Sequence, residues 1–489
     1  MATCLQGVAL QDSDLKSILE VAKDWALANG MVFKPNTGQD GDLQATCVPF
    51  TLFPSVVPYS VLEQAYHCQT DFNTLMYLVA QDDLFLEQSL RSVIKVDAFV
   101  RGLWDIYKKV REEGITQPVS LDLFRNDFMI NMATERPIEK GLIPSLSSLQ
   151  LKQIEFNTIS ASFAGLIGAT SRLHKYTLNL ARKSYASKQM PDNDPAYGMA
   201  VGLVKAWEIY AKPSAVILFL VSSVETNSID QRHLEFKVHD LNPSIRVIRR
   251  TFLDIYSRAE LTKDMTLVID NTEVAIVYFR TGYSDESYPS DKEWKARLLM
   301  ERSRAIKCPT VQSQLSGFKK VQQELARPGA VERFISDPAA VNRIRSTFAG
   351  LYTLDMGPEG DESVRLAITS PSQYVLKPQR EGGGHNIYGN EIKILLEKIG
   401  SSSEREAYIL MERIFPLTEK NYLIKSGVPF TLSDVVSELG IYGVYIGDGG
   451  KEVINTHCGH MLRTKLQGIN EGGIVAGFAA LDTPFVADA

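Results

Sequence analysis

The residues best suited to chemistry lie in one glycine-rich stretch, Lys377 to Gly389, which reads Lys-Pro-Gln-Arg-Glu-Gly-Gly-Gly-His-Asn-Ile-Tyr-Gly. An apolar run precedes it and a helical pattern follows it, so the sequence predicts a strand, a loop and a helix in turn. Consecutive glycines let backbone N–H groups approach an anion such as phosphate closely. Lys377 and Arg380 supply positive charge, whereas Glu381 would repel phosphate unless a cation such as Mg²⁺ lay between them. A flexible surface loop is the alternative for the glycines alone.

A second candidate lies in the run from Ile154 to Ser162, where Glu155 and Asn157 stand two residues apart on a predicted strand. Side chains at that spacing project from one face of a strand. Two oxygen donors on one face suit a hard cation, and Glu381 would supply a third. A solvated face of an edge strand is the alternative.

Lys319 begins a predicted helix, after Ser316 and Gly317. A cation at a helix start is disfavoured by the helix dipole, which leaves room for a phosphate partner. A solvated helix end is the alternative.

Several residues after 410 are of types that could bind a nucleotide and the carboxylate of a substrate. Met411 to Ile414 run from a strand into a proline-containing connection, where backbone groups would hold an adenine or simply form a core strand. Glu438, on a predicted strand, suits a ribose hydroxyl or a surface lysine. Arg463 offers a bidentate fork to a carboxylate and Lys465 a point charge to phosphate, with a basic surface patch as the alternative.

Two further loops follow predicted buried strands, which is where ligands bind in α/β units. Glu225 to Arg232 follow the strand 215–221, and Arg280 to Tyr283 follow the strand 274–279. Neither loop identifies a function alone. His457 and His460 flank a cysteine, but a zinc site would need a second pair of ligands that the pattern does not offer.

The composition limits the class of protein. The chain has 489 residues, 44% hydrophobic and 22% charged, with a formal net charge of −6. These values are typical of a folded soluble protein and argue against general affinity for nucleic acid or an anionic membrane. The start shows no signal-peptide pattern, no apolar run is long enough to span a membrane, and the cysteines form no C-x-x-C pair. The sequence therefore predicts a cytoplasmic protein with free thiols.

Hydrophobic periodicity predicts how these segments are arranged. Helical spacing dominates 12–29 and 60–114, which predicts a helix-rich N-terminal layer. Strands and helices alternate from 118 to 280, helices fill 291–350, and a second α/β region follows, with strands predicted at 434–439 and 443–446. This alternation predicts mixed or parallel sheets covered by helices.

The same segments, in order, resemble the eukaryotic glutathione synthetase family of the ATP-grasp superfamily. The resemblance covers nearly the whole chain and includes Thr51–Ser55, Ile154–Ser162, Cys308–Pro309, Lys319–Glu324 and Ser437–Gly440. It implies an α/β (α+β) ATP-grasp fold with mixed sheets, a helix-rich N-terminal layer and glycine-rich lid loops. Three divisions follow: a helical layer at 1–120, an ATP-grasp body at 121–212 and 320–489, and a substrate-binding domain at 213–319.

The resemblance also implies a reaction. γ-Glutamylcysteine, glycine and ATP would give glutathione, ADP and phosphate through an acyl phosphate, with Mg²⁺ as cofactor. The family implies a homodimer, without a nucleic acid or membrane partner.

Carried over residue by residue, the resemblance implies overlapping sets of site residues. Mg²⁺ would be held by Glu155, Asn157 and Glu381. The nucleotide would contact Glu155, Lys319, Lys377, Gly382, Gly383, Gly384, Asn386, Tyr388, Met411, Glu412, Arg413, Ile414, Glu438, Lys465 and Glu471. The peptide and glycine would contact Arg125, Ile159, Ser160, Ala161, Ser162, Glu225, Thr226, Asn227, Gln231, Arg280, Thr281, Gly282, Tyr283, Arg463, Ile474 and Val475. Catalytic roles would fall to Arg125, Ser162, Gly382, Gly383 and Arg463.

Some positions depart from the family pattern. His385, Arg413 and the pair Ile474-Val475 stand where asparagine, lysine and Val-Ala are common. The pair lies in the acceptor loop, so it bears on the choice between glycine and β-alanine, which would give homoglutathione. One methylene group is worth only about 10- to 200-fold in discrimination, and both acceptors stay open. A nucleotide-binding regulator without catalysis is a further alternative, although the metal and phosphate residues are all present.

Overall fold

The computed structural model describes residues 3–34, 44–132, 149–380 and 384–487. The helices, in chain order, are α1 (Asp12–Ala28), α2 (Tyr59–Gln81), α3 (Asp83–Leu90), α4 (Val93–Val96), α5 (Ala98–Glu113), α6 (Ala164–Leu180), α7 (Pro195–Tyr210), α8 (Ser228–Leu241), α9 (Phe252–Arg258), α10 (Asp291–Arg302), α11 (Val311–Ser316), α12 (Lys319–Leu325), α13 (Pro338–Thr347), α14 (Pro358–Thr369) and α15 (Asn390–Ile399). Helices α1 to α5 occupy the ranges where helical spacing predicted an N-terminal layer. Within the described ranges, every helix is too short or too polar to cross a membrane.

The strands complete the description. In chain order they are β1 (Val32–Phe33), β2 (Thr46–Cys47), β3 (Phe50–Thr51), β4 (Ser55–Pro58), β5 (Val119–Met132), β6 (Leu149–Asn157), β7 (Val216–Leu220), β8 (Val247–Arg250), β9 (Ala259–Leu261), β10 (Leu267–Ile269), β11 (Thr272–Phe279), β12 (Ile306–Cys308), β13 (Leu351–Thr353), β14 (Tyr374–Pro378), β15 (Ile387–Tyr388), β16 (Tyr408–Glu412), β17 (Thr418–Ile424), β18 (Leu432–Asp448), β19 (Lys451–Leu466), β20 (Ala480–Asp482) and β21 (Pro484–Ala487).

Short polar side chains fix several helix starts. Asp97, Asp194 and Ser290 each accept a hydrogen bond from a backbone N–H in the first turn of α5, α7 and α10. The first N–H groups of a helix have no partner within the helix, so these caps favour the observed boundaries.

One sheet of thirteen strands forms the body of the protein. Its main order is β17-β3-β20-β19-β18-β5-β12-β11-β10-β9, with β6 paired to β5, and β7 paired to β11 and β8. Strand β5 is antiparallel to β18 and β6, whereas β12, β11, β7 and β8 run parallel. Every residue of Val216–Leu220 in β7 is buried, as expected for a parallel strand covered on both faces.

The long strand β18 replaces the two strands predicted at 434–439 and 443–446. Its glycines resemble breaks in the sequence pattern, but in the sheet they admit close neighbours. A Cβ on Gly447 would lie 2.2 Å from the ring of Tyr77, and one on Gly443 would lie 2.4 Å from Oδ1 of Asn73. The glycines therefore let α2 pack directly against the sheet.

A second sheet of four strands, in the order β13-β16-β14-β15, forms a smaller lobe. The lobe has its own core, formed by Leu354, Ala367, Leu376, Ile392, Leu396, Ile399 and Leu410. Lys377, on β14, joins the two sheets, because its Nζ donates to the backbone oxygen of Ile154 on β6 at 2.7 Å. The predicted divisions 1–120, 121–212 with 320–489, and 213–319 stay a prediction.

Segments from the two ends of the described chain meet in the body. Strand β3 lies between β17 and β20, and β4 pairs in parallel with β21. Thr51 Oγ1 donates to the backbone oxygen of Leu481, 430 residues away. The large sheet is therefore completed only by β20, and β21 forms a separate two-stranded sheet with β4.

Candidate active site

Five side chains of alternating charge lie in a row across β5, β18 and β19. Arg125 donates from Nε and Nη2 to the two carboxylate oxygens of Asp127, at 2.7 and 2.8 Å. Arg463 Nη2 donates to Asp127 Oδ2 at 2.9 Å and lies 2.8 Å from Glu438 Oε2. Lys465 Nζ donates to Glu438 Oε1 at 2.9 Å. Each carboxylate is thus shared between two cations, and we call these five residues the charged row.

The strand register produces the charged row. Glu438 lies directly opposite Arg463 between β18 and β19, and Gly440 lies opposite Asp127 between β18 and β5. A Cβ on Gly440 would lie 2.9 Å from Asp127 Oδ1, so a glycine at that position leaves room for the carboxylate. Asp127 is 1% exposed and is the most deeply buried of the five.

Burial and pairing act against each other in this row. Burial raises the pKa of Glu438, but the charges of Lys465 and Arg463 outweigh it and lower that pKa below its usual value. Burial likewise lowers the pKa of Arg463, and the charges of Asp127 and Glu438 raise it above its usual value. The carboxylate and the guanidinium therefore stay ionised near neutral pH.

Glu155, on β6, forms a second charged group beside the row. Its Oε2 lies 3.5 Å from Lys319 Nζ, at the start of α12. Lys319 Nζ also donates to the backbone oxygen of Arg380 at 2.7 Å, which links α12 to the glycine-rich stretch. Burial raises the pKa of Glu155, but neighbouring cations outweigh it and lower that pKa to about 2; they are, in order of effect, Lys319, Lys377, Arg463 and Arg125.

Asn157 connects Glu155 to the charged row. Its Nδ2 donates to the backbone oxygen of Arg125 at 3.2 Å and to Asp127 Oδ2 at 2.9 Å. Because Nδ2 makes both of these bonds, the amide oxygen Oδ1 of Asn157 points away from Arg125 and Asp127. Glu155 lies directly opposite Asp127 across the β5–β6 pair, a placement in which two carboxylates repel each other unless cations compensate.

Two loops approach each other above the charged row. Gly384, in the glycine-rich stretch, donates its N–H to Glu471 Oε2 at 2.7 Å. Tyr388 donates to the backbone oxygen of Asn470 at 3.4 Å, and Lys465 Nζ donates to that oxygen at 2.8 Å. Because a Cβ on Gly472 would lie 2.8 Å from both oxygens of Glu438, the second loop rests directly on the row.

The segment from Met411 to Ile414 borders these loops. Strand β16 ends at Glu412, whose carboxylate accepts bonds from the Tyr352 hydroxyl at 2.8 Å and from the Gly350 N–H at 3.2 Å. The backbone N–H of Glu412 is also engaged within the protein, because it donates to the backbone oxygen of Gly350 at 2.8 Å. Arg413 Nη2 donates to Asn470 Oδ1 at 3.1 Å and so ties the segment to the second loop.

The turn after β6 brings two arginines together. Arg280 donates from Nη1 to the backbone oxygen of Ala161 at 2.9 Å and from Nη2 to Ser162 Oγ at 2.7 Å. Arg125 Nη1 donates to the backbone oxygen of Ser162 at 3.4 Å. Ser160 has a φ of 55°, a left-handed conformation, and its hydroxyl donates to the backbone oxygen of Phe279 at 3.0 Å. The turn is thereby held against the end of β11.

The loop after β7 lies beside this turn. Glu225 accepts from Gln231 Nε2 at 2.7 Å and from the backbone N–H of Asn227 at 3.0 Å. The charge of Glu225 is among those that raise the pKa of Arg280, after Tyr278 and Asp230 and against the lowering effect of burial. The Glu225 carboxylate therefore lies near the Arg280 guanidinium, without forming an ion pair with it in the described structure.

Comparisons with known proteins agree with this arrangement. The family model described as "Eukaryotic glutathione synthase, ATP binding domain" matches residues 12–486. Glutathione synthetase of Rattus norvegicus is 45% identical over 99% of this chain and 100% of its own length. That of Homo sapiens is 46% identical over 98% of both chains. The chloroplastic glutathione synthetase of Solanum lycopersicum is 39% identical over 97% of this chain and 85% of its own length.

The chain belongs to the eukaryotic glutathione synthetase family. The family's members are ATP-dependent ligases, and the resemblance stated from the sequence is confirmed. A solved glutathione synthetase-like effector of Globodera pallida shares the fold, with a TM-score of 0.76 and 24% identity over 98% of both chains. The predicted α/β fold with mixed sheets is confirmed as well.

Several residues implied by the family come together in the structure, and we call the space between the charged row and the two loops the cleft. The charged row, Glu155, Asn157 and Lys319 line its floor, and the loops that carry Gly384, Tyr388 and Glu471 lie above it. Glu381, Gly382 and Gly383 lie outside the described residues. Of the acceptor-loop pair, Ile474 is 2% exposed and Val475 is 54% exposed. The individual roles of all these residues stay predictions.

Some residues of the cleft had no sequence signal of their own. Asp127 stands two residues after Arg125 on β5, and that spacing on a strand was the one available sign of a shared face. Asn470 precedes Glu471 in a loop, and its contacts depend on three separate segments.

The two histidines in the middle of β19 both contact Tyr66, but only His460 is buried, whereas His457 is exposed. His460 Nδ1 shares a hydrogen bond of 2.5 Å with the Tyr66 hydroxyl, and the His457 ring stacks on the Tyr66 ring at 4.3 Å. Over the described ranges, no three His, Cys, Asp or Glu side chains come together as a metal site.

The low pKa of Glu155 makes stability depend on pH. The pKa of this carboxylate is 4.5 in an unfolded chain and about 2 in the folded protein. Such a difference stabilises the folded state by up to about 3 kcal/mol. This contribution is fully present above about pH 4.5 and is lost as the pH falls through about 2. We expect Glu155→Gln to lower the free energy of unfolding at pH 7, with less than about half of that difference left at pH 3. Urea denaturation at both pH values measures it.

The matched control is Glu260→Gln, which changes an exposed side chain of β9. It should leave the free energy of unfolding unchanged at both pH values. A Glu155→Gln difference of equal size at pH 7 and pH 3 would contradict the low pKa.

Proposed function

We propose that the cleft joins the cysteinyl carboxylate of γ-glutamylcysteine to the amine of glycine, using ATP and giving glutathione, ADP and phosphate. The observation that carries this proposal is that two groups of residues, one suited to a nucleotide and one suited to an acidic peptide, lie side by side in the cleft. Lys319, Lys377 and Glu155 suit a nucleotide phosphate with its cation, and the charged row with Arg280 suits an acidic peptide. Family membership supports the same reaction.

The donors on β6 fit a magnesium ion. Glu155 is a carboxylate held ionised by its low pKa, and Asn157 has its amide oxygen turned away from the protein bonds made by Nδ2. Mg²⁺ is usually bound by one or two carboxylates together with substrate phosphates and water, so two protein oxygens suffice. We propose Glu155, Asn157 and, from the family, Glu381 as its ligands. When bound, the ion neutralises charge on the transferred phosphoryl group.

The phosphoryl transfer needs cations at fixed positions. We propose that Lys319 and Lys377 bind the phosphates, since both are buried at the boundary between the two sheets. An oxygen of the cysteinyl carboxylate attacks the γ-phosphorus, and the bond to ADP breaks. Fixed cations stabilise the charge that develops during this step without reorganising.

The second step forms the peptide bond. The glycine amine attacks the acyl carbon, phosphate leaves with the electrons of the C–O bond, and the amine loses a proton. Arg125 and Arg463 are each held by Asp127, which leaves further N–H groups of both guanidiniums to orient the carboxylate and its phosphate. Holding the reactants together contributes effective molarities of about 10⁵–10⁸ M in well-oriented systems.

The two loops suit the exclusion of water. An acyl phosphate hydrolyses readily, so a cover over the cleft preserves it for the amine. We propose that 382–389 and 468–477 form this cover, joined by the bond from Gly384 to Glu471 and by the bond from Tyr388 to Asn470.

The direct test is an assay with each possible acceptor. With ATP, Mg²⁺ and γ-glutamylcysteine, the purified chain should release phosphate only when an amine is present, with glycine as the preferred amine. Mass spectrometry should find one tripeptide for each phosphate released. A preference for β-alanine would show that the chain makes homoglutathione and not glutathione. Folded protein that binds ATP but releases no phosphate with any amine would support a regulator and end the ligase proposal.

The metal assignment is tested with Glu155→Gln. Loss of this ligand should raise the Mg²⁺ concentration for half-maximal turnover by at least about 10-fold, because even outer partners of metal sites cost 10–100-fold in affinity. Turnover is measured across a Mg²⁺ titration at fixed ATP, on protein shown to be folded by circular dichroism. Glu260→Gln is the control and should titrate as the unmodified chain. An unchanged Mg²⁺ requirement in Glu155→Gln would remove Glu155 from the metal site.

We also propose that the chain acts as a cytoplasmic homodimer. The family resemblance supports the dimer, and the five free cysteines fit a reducing compartment. Sedimentation equilibrium of the purified chain should give about twice the mass of one chain. A single-chain mass at micromolar concentration would disprove the dimer, and recovery of the protein in an organelle fraction would disprove the location.

A further inference from the structure

Arg249 lies at the carboxyl edge of the parallel strands, near the end of β8. Its Nη2 donates to Gln231 Oε1, and Gln231 Nε2 donates to Glu225 Oε2 at 2.7 Å. Its Nη1 is buried without a hydrogen-bond partner in the described structure and lies 3.8 Å from Glu235 Oε2. A short relay therefore runs from Arg249 through Gln231 to Glu225.

The chemistry of the two side chains fixes the direction of this relay. A guanidinium has only N–H donors, so it bonds to the oxygen of the Gln231 amide and not to its nitrogen. The amide nitrogen is then turned towards Glu225. Without Arg249, the Gln231 amide would be held only by its bond to Glu225, so both side chains would be free to move together and the Glu225 carboxylate would be less well fixed.

Glu225 differs from the other carboxylates of the cleft. Asp127, Glu155 and Glu438 are each paired with a lysine or arginine of this chain. Among the described residues, Glu225 has no such partner at ion-pair distance, although Arg249 and Arg280 interact with its charge from farther away. Its hydrogen bonds come from the Gln231 amide and the Asn227 N–H. A cationic group of a ligand would complete its environment.

We infer that Arg249 is a positioning residue which, through Gln231, aims the Glu225 carboxylate at the α-ammonium group of the γ-glutamyl substrate. This inference rests on the proposed function, because γ-glutamylcysteine carries that ammonium at the end remote from the reacting carboxylate. Arg249 itself does not touch the substrate, since its free nitrogen is buried. Its effect is on recognition of the amino group and not on phosphoryl transfer.

The structure indicates that Arg249 can be replaced without loss of the fold. Glu235, the nearest carboxylate to its free nitrogen, keeps Arg232, whose Nη1 donates to both of its oxygens at 2.7 Å. Removal of Arg249 therefore leaves no buried carboxylate unpaired. Methionine is the appropriate substitute, because it keeps an unbranched apolar side chain and removes every donor.

The experiment compares two substrates that differ only in the amino group: γ-glutamylcysteine and glutaryl-cysteine, which lacks it. The measured quantity is the ratio of the two kcat/KM values, determined with saturating ATP and glycine. We expect Arg249→Met to lower the preference for γ-glutamylcysteine by about 10-fold, chiefly through KM, because it weakens one charge-assisted contact. The KM values for ATP and glycine should not change, and Arg249→Lys, which keeps a donor, should recover part of the preference.

Two further variants complete the test. Arg232 follows Gln231 on α8 but is not part of the relay. Arg232→Met should therefore keep the preference of the unmodified chain for γ-glutamylcysteine over glutaryl-cysteine. In a Gln231→Leu background, Arg249→Met should cause no further loss, since the relay is already broken. An equal fall of kcat/KM for both substrates, an unchanged ratio, or a further loss in the Gln231→Leu background would each overturn the inference. If the unmodified chain makes no tripeptide from γ-glutamylcysteine, it is the proposed function that fails.

Discussion

One buried carboxylate, Asp127, holds the cleft together. It accepts hydrogen bonds from Arg125, Arg463 and Asn157, and it is 1% exposed. Charges removed from water cost several kcal/mol each unless they are closely paired, and breaking such a pair is more costly than never having formed it. Without Asp127, two guanidiniums would face each other in the interior.

This electrostatic requirement constrains the whole sheet. A slip of one residue in a strand turns every side chain to the other face. The charged row exists only if β6, β5, β18 and β19 all keep their register, and Gly440 provides the space that the carboxylate needs. The site is therefore charged and ordered before any ligand arrives, which is the condition for stabilising a transition state without reorganisation.

Sequence reasoning predicted the parts of the site that local patterns determine. Glu155 and Asn157 follow from the two-residue period of a strand, and Lys319 follows from its place at a helix start. The glycine-rich stretch identifies itself by composition. Pairings across strands could not be predicted in the same way, because Asp127 and Arg463 are 336 residues apart and meet only through β18.

The same limit explains the error in β18. Gly440, in the gap predicted between the two strands, resembles a strand break when only the local sequence is considered, but the reason for this glycine lies on β5, whose Asp127 occupies the space of the missing side chain. The relay from Arg249 to Glu225 is a further case, since it depends on the alignment of β8 beside β7. A single sequence does not show which residues from distant segments will lie next to each other in the fold.

The pairing of β3 with β20, and of β4 with β21, has a consequence for synthesis of the chain. Thr51 leaves the ribosome 430 residues before Leu481, the partner of its hydroxyl. At about 5–20 residues per second, β3 and β4 wait roughly 20–90 s for the strands that cover them. Throughout that time the apolar residues of β3 and of the turn before β4, including the fully buried Phe50 and Phe53, are open to other contacts in the cell. This segment of the nascent protein is thus exposed to aggregation and to chaperones until β20 and β21 have been made.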